Sequence, residues 1–206
     1  MDLPVRKQIR LSGYDYSQNG YYFVTICTQN RECILGNIIN PTVVGADPCA
    51  RPSNPIMKLN DVGIMVNKWL TKIPERFGSL LDIYQIMPNH IHLIIVVDQN
   101  NIGSTHTPIG RTHGSAPTEF MESKIYLGNI IQWFKTMSTN EYINNVKNNH
   151  WPSFDKRLWQ RNYYEHVIRN DEDLFRIRKY IEDNPLQWDN DENNPNHPIK
   201  WQTPQN

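Results

Sequence analysis

The chain has 206 residues, in which 21 Lys and Arg balance 21 Asp and Glu, with 38% apolar, 11% aromatic and 20% charged residues. That is enough chain to bury a sizeable core, and it excludes collagen-like, coiled-coil and disordered classes as well as a protein that coats phosphate wholesale. The neutrality is an average: residues 1–182 hold 20 basic against 17 acidic groups, a net +3, and residues 183–206 hold one against four, a net −3. The longest nearly unbroken apolar run, 91–97, falls far short of the roughly 18–20 residues of a membrane span. With no apolar segment behind the basic residues of 1–10, no signal peptide is expected, and the sequence predicts a cytoplasmic protein without membrane contact. Cys27, Cys33 and Cys49 contain no C-x-x-C pair and read as ordinary core or loop thiols.

In chain order, 21–28 (YYFVTICT) is aromatic and β-branched between turn residues and predicts a strand, with 33–35 as its hairpin partner. Four prolines, Pro41, Pro48, Pro52 and Pro55, mark 36–58 as a surface insertion without regular structure. Val62, Met65, Val66, Trp69, Leu70 and Ile73 recur at helical spacing after Asp61, a suitable N-cap, and the pattern stops at Pro74. Residues 81–87 and 91–97 predict two strands joined at Pro88-Asn89, and 98–118 a long mobile loop that contains His106 and His113. Leu127, Ile130, Ile131, Phe134 and Met137 predict a second helix that frays in the Asn-rich segment 140–149. Residues 158–160 and 163–168 predict a last strand. After Asn170, an N-cap before three acidic residues, a final helix runs to Pro185. Residues 189–206 are expected to be a disordered or loosely draped tail. The order predicts an α+β fold, a ferredoxin-like split βαβ unit with a mainly antiparallel sheet and an appended C-terminal helix, forming one domain over 1–188.

Two residues per side-chain period place His90 and His92 on one strand face with Ile91 turned into the core, an arrangement able to chelate a divalent metal. Hydrogen-bonded histidines at a strand end would give the same pattern. On the last helix Leu174, Ile177 and Ile181 form the buried stripe, and Tyr180 and Asn184, four residues apart, share the edge of it. These two residues are compatible with a site at the sheet margin, and equally with a boundary tyrosine and a C-terminal asparagine cap.

Three blocks occur in order: MPNHIHLIIVV (87–97), LWQRNYYEHVIRN (158–170) and YIEDNP (180–185). Together they resemble the single-tyrosine HUH transposases of insertion sequences, and among these the REP-associated tyrosine transposases, over roughly residues 5–188. The resemblance implies that His90 and His92 hold a divalent cation, Mg²⁺ or Mn²⁺, with Asn184 as third ligand. It implies that Tyr180 is the nucleophile, forming a 5′-phosphotyrosine and a free 3′-hydroxyl, and that His166 is a neighbour of the site. The implied substrate is single-stranded or hairpin DNA, nicked and rejoined without ATP, in keeping with a sequence that has no G-x-x-x-x-G-K-[ST] loop.

Candidate phosphate contacts are Arg6, Lys7 and Arg10 near the N-terminus and Lys156, Arg157, Arg161, Arg169, Arg176, Arg178 and Lys179 around the last strand and helix. Tyr163 and Tyr164 are rival nucleophiles, but strand alternation turns one inward and one outward, and packing or base stacking accounts for each. A ligand set of imidazoles and an amide carries no fixed charge, so weak metal binding without DNA is expected. A monomer is favoured over a homodimer. Two other readings compete: a DNA-hairpin-binding module without catalysis, and a zinc hydrolase built on His90, His92 and His166.

Overall fold

The computed structural model describes residues 14–40, 54–99 and 124–197. Its elements are β1 (Gly20–Cys27), β2 (Gly36–Ile39), β3 (Ile56–Leu59), α1 (Asp61–Thr71), α2 (Ile73–Phe77), β4 (Leu80–Ile86), β5 (His90–Val97), α3 (Leu127–Asn148), β6 (Tyr164–Ile168) and α4 (Asp171–Asp183). Short 3₁₀ turns follow β1 (Gln29–Arg31) and α4 (Asn184–Asn190). The main sheet has the order β4-β5-β1-β6 with every neighbouring pair antiparallel. β1 and β4 therefore run parallel on either side of β5, which is the split βαβ arrangement, and the fold is α+β as the sequence predicts.

Alternation along the strands decides what each sheet face buries. Tyr22, Val24 and Ile26 of β1 and Ile91, Leu93 and Ile95 of β5 enter the larger core, where α1, α2 and α3 contribute Val66, Leu70, Ile73, Ile130 and Phe134. The opposite face is covered by one helix: Leu174, Ile177 and Ile181 of α4 pack on Phe23, Ile94 and Ile168. That leaves the end of the face near His90 without helical cover.

Several local expectations are corrected. Residues 33–35 do not pair with β1, because both edges of β1 are already taken by β5 and β6; Leu35 is instead buried in the core. The segment 36–58 is not free of regular structure: its ends form the antiparallel β2–β3 ladder, while Pro41, Pro48, Pro52 and Cys49 lie outside the described residues. Asn60 rather than Asp61 caps α1, its side chain accepting from the Gly63 amide at 3.0 Å. α1 and α4 end at Thr71 and Asp183, before Pro74 and Pro185 as expected; each proline then also sits in the first turn of a further short segment, α2 and the 3₁₀ turn Asn184–Asn190, at a position whose N–H needs no helical partner. α3 continues through 140–148, anchored by buried Tyr142, whose hydroxyl donates to the Pro152 carbonyl, and by Glu141, which accepts from Lys68 and Trp69. Residues 158–160 are not part of β6; Trp159 forms an isolated bridge to Thr28. Residues 189–197 are ordered, with Asp191, Asn193 and Asn194 buried. The segments 100–123 and 198–206 lie outside the described residues, including most of the loop predicted at 98–118.

Lys135 of α3 donates to the carbonyls of Gln160 (2.9 Å) and Asn162 (3.1 Å), fixing the segment that leads into β6. Burial pushes its pKa down to about 8, against the opposing charge of the Cys27 thiolate form. Below pH 8 the fold holds a buried ammonium at a cost that the unfolded chain, with an ordinary lysine pKa near 10.4, does not bear. Between pH 8 and 10 the unfolded state binds more protons, so this group's contribution rises with pH. Urea unfolding should therefore show the stability of the protein increasing relative to Lys135→Met across that interval.

Gly63 in α1 abuts the Leu35 carbonyl oxygen so closely that a β-carbon would overlap it. Alanine in a helix interior normally stabilises by about 0.5–1 kcal/mol over glycine. Here Gly63→Ala should reverse that sign and destabilise by about 1–3 kcal/mol, read from a denaturant midpoint.

Candidate functional site

On the face that α4 half covers, β1 presents Phe23, Thr25 and Cys27, β5 presents His90, His92 and Ile94, and β6 presents Tyr164, His166 and Ile168. The apolar members lie under the helix and the polar ones beyond it. His90 and His92, 0% and 2% exposed, bring their Nε2 atoms to 3.0 Å from one another. After α4 the chain turns through Asn184–Asn190, and residues 191–194 cross the open end as a strap. The Glu192 carbonyl accepts from Arg31 Nη1 (2.9 Å) and the Asn193 carbonyl from Asn89 Nδ2 (2.7 Å). The strap brings Asp191 Oδ2 to 3.6 Å from His90 Nε2. Ligand atoms of His90, His92 and Asp191 all lie within 4.8 Å of one another.

The surrounding hydrogen bonds assign the histidine tautomers. Asn89 is fully buried, and its amide nitrogen donates to the carbonyls of Arg31 (3.0 Å) and Asn193, so its Oδ1 faces His90 Nδ1 at 2.8 Å as an acceptor. His90 therefore carries its proton on Nδ1 and turns the Nε2 lone pair inward. His92 then donates from Nε2 to His90, and its Nδ1 accepts from Thr25 Oγ1 at 2.9 Å. Burial lowers the pKa of both rings, that of His90 to about 4 despite the opposing charge of Asp191 and that of His92 well below its usual value, with His90 as a second cause. Neutral imidazoles are the form that binds a metal.

The donor set fits a divalent cation. Two ligands at adjacent octahedral positions with bonds of about 2.1 Å are about 3.0 Å apart, the spacing found between the two Nε2 atoms. Asp191 Oδ2 and Asn184 Oδ1 are both buried without a hydrogen bond, and Asn184 lies beside His90 and Tyr180. Uncompensated buried oxygens are costly, and a cation would satisfy both. Beside the charge-free set expected from the sequence, Asp191 offers a carboxylate as a further candidate donor. Thr25 completes the design, because its hydroxyl can turn from donor to acceptor when a cation displaces the His92 Nε2 proton to Nδ1.

Tyr180, 47% exposed, directs its hydroxyl to 3.3 Å from His92 Nε2. Burial and then the Asp191 charge raise its pKa, with Asn184 opposing. His166 is not among the clustered ligand atoms, which come from His90, His92 and Asp191; its Nε2 pairs with Asp173 Oδ2 at 2.7 Å. Beside Tyr180 opens a groove of about 900 Å³, lined among others by Phe23, Thr25, His92, Tyr164, His166 and Arg31. Tyr164 and Tyr163 both line it, Tyr163 also packing against the larger core beneath the Lys135 ammonium.

Of the expected phosphate contacts, Arg157, Arg161 and Arg169 are exposed. Arg176 is bound to Asp173, Arg178 to Asp82 through two bonds of 2.8 and 2.9 Å, Lys179 to Asp183 and Lys156 to Asp155. Arg6, Lys7 and Arg10 lie outside the described residues. Sequence reasoning missed Thr25, Arg31, Asn89 and Asp191. A signal existed for Asp191: the D-x-N and N-x-N spacings of 191–196 favour Asx turns, and Asp191 Oδ1 and Asn194 Oδ1 do accept from the amides of Asn193 and Asn196.

A protein of Haemophilus influenzae described as uncharacterized is 35% identical over 188 residues, 91% of this chain and 92% of that protein. The two belong to one family. No family model matches the chain. Among solved structures, a REP-associated tyrosine transposase bound to a REP hairpin is 17% identical, with a TM-score of 0.48 over 86% of this chain and 74% of that one. A putative transposase from Deinococcus radiodurans R1 is 16% identical, with a TM-score of 0.41 over 84% and 95%. Likenesses at this level carry no argument about activity, so for this family the chemistry has to be read from the side chains. No helix among the described residues is long and apolar enough to cross a membrane.

Calorimetric titration with Mn²⁺ should show tight binding by the protein and 10–100-fold weaker binding by Thr25→Val, which leaves His92 Nδ1 without its partner. Asp191→Asn should weaken it at least as much. Equal affinities in all three proteins would place the cation elsewhere.

Proposed function

We propose that the chain is a metal-dependent transposase that nicks and rejoins single-stranded DNA, hairpins included, through a covalent bond to Tyr180. The observation that carries this reading is the placement of the Tyr180 hydroxyl 3.3 Å from His92 Nε2, at the rim of the His90–His92–Asp191 cluster and at the mouth of the groove. The motif resemblance described above supports it.

His90, His92, Asp191 and Asn184 would hold Mg²⁺ or Mn²⁺. When bound, the cation supplies positive charge to the phosphate oxygens and to the developing phenolate. Everything else falls to the protein. α4 holds the Tyr180 oxygen at the groove for in-line approach to phosphorus. Attack forms the bond from Tyr180 to phosphorus and breaks the bond to the 3′-oxygen; the phenol loses its proton and the 3′-oxygen gains one. A phosphodiester is exchanged for a phosphodiester, so the reverse attack by another 3′-hydroxyl needs no external energy source. The raised Tyr180 pKa keeps the phenol protonated and unreactive at neutral pH until positive charge is present. The groove beside it, with the rings of Phe23 and Tyr164 6.1 Å apart, offers aromatic surface to unpaired bases.

Incubation with labelled single-stranded hairpin DNA and Mn²⁺ should yield a denaturant-resistant protein–DNA adduct that Tyr180→Phe abolishes. Binding without cleavage in the unaltered protein would identify a binding module instead. Cleavage without an adduct would identify water as the nucleophile, and an adduct lost only in Tyr164→Phe would move the nucleophile to β6.

A further inference from the structure

Asn30 and Arg31 both adopt φ 56° in the turn after β1. The left-handed region costs an L-residue about 1–2 kcal/mol; a short Asn side chain eases this by local hydrogen bonding, and a long Arg side chain does not. Backbone strain of this kind persists where the surrounding structure demands it. At Arg31 it has two results. The carbonyl is turned to accept from Asn89 Nδ2, and the guanidinium is carried into the groove that also contains His92 and Tyr180.

The three cations carried by α4 are already engaged: Arg176 with Asp173, Arg178 with Asp82 and Lys179 with Asp183. Arg31 differs. Its Nη1 donates to the backbone carbonyl of Glu192, and among the described residues it forms no ion pair with a carboxylate. A guanidinium offers five N–H donors in a planar fork suited to phosphate, so most of this one's donors, and its whole charge, remain for a ligand.

We infer that Arg31 is a catalytic residue that clamps a non-bridging oxygen of the phosphate attacked by Tyr180, in the groove that both residues line. This rests on the DNA-processing reading and adds to it the group that orients the scissile phosphate. The clamp stays in place as charge moves to the 3′-oxygen, and the strained turn sets it before substrate arrives.

Two substitutions separate the side chain from the backbone. Asparagine tolerates φ > 0, so Arg31→Asn keeps the turn and the carbonyl to Asn89 while removing the charge; Arg31→Lys keeps the charge and loses the fork. In a Tyr180→Phe background with Mg²⁺, binding of a hairpin oligonucleotide with single-stranded flanks is measured against salt. Arg31→Asn should reduce the log–log slope by about 0.7, one phosphate contact on a single strand, and Arg31→Lys should retain the slope. With Tyr180 present, Arg31→Asn should slow adduct formation by about 10²–10³-fold, as for loss of one preorganised donor, with Arg31→Lys between the two. Calorimetric Mn²⁺ affinity should be the same in both variants as in the parent.

An unchanged salt slope and adduct rate in Arg31→Asn overturns the clamp and leaves the proposed function standing. A Mn²⁺ affinity that falls with the adduct rate also overturns it, assigning Arg31 to support of Asn89. Failure of the Tyr180→Phe parent to bind DNA removes the proposed function and the clamp together.

Discussion

The carboxamide of Asn89, fully buried at the start of β5, is the junction on which the site depends. A buried amide must place all of its hydrogen bonds inside the protein, and leaving one unmade costs about 1–3 kcal/mol. Asn89 meets that demand by joining three segments distant in sequence: the turn at Arg31, the strap at Asn193 and the ring of His90. One side chain thus fixes the tautomer of a ligand histidine, the strained turn that carries Arg31 and the path of the chain that delivers Asp191. The pair Thr25–His92 repeats the logic on the neighbouring strand at 2.9 Å.

The sheet supplies the setting. Its face toward α1, α2 and α3 is apolar apart from buried Glu165 of β6 and holds the larger core. The other face changes character along its length, apolar where α4 lies and polar beyond the helix. A helix of 13 residues is about 20 Å long and leaves part of this face to the strap and the groove. Burial of the two histidines is what keeps them neutral. The same burial would be a defect without Thr25, Asn89 and the carboxylate that faces them.

The parts of the site that were legible in the sequence are those fixed by local periodicity. Alternation places His90 and His92 on one face whatever the rest of the chain does, and the four-residue spacing on α4 sets Tyr180 and Asn184 side by side. The split βαβ order follows from the same patterns. Asp191, Arg31 and the role of Asn89 depend on contacts across 58 to 161 residues of chain, to which no periodicity points. The stops before Pro74 and Pro185 were legible, but not the short segments that these prolines open, where the missing N–H costs nothing. The hairpin expected at 33–35 failed because β1 has no free edge. The fraying expected at 140–149 failed because Tyr142 and Glu141 tie the Asn-rich stretch to the core and to α1.

The strap has one more consequence, in the order in which the chain is made. His90 and His92 are synthesised about a hundred residues before Asp191, and the sheet that holds them needs β6 before its edge is complete. In a growing chain both imidazoles therefore exist well before the carboxylate that faces them. The His90–His92–Asp191 group is complete only once residue 191 has been made. Until then the two buried histidines lack the carboxylate that faces them in the finished fold.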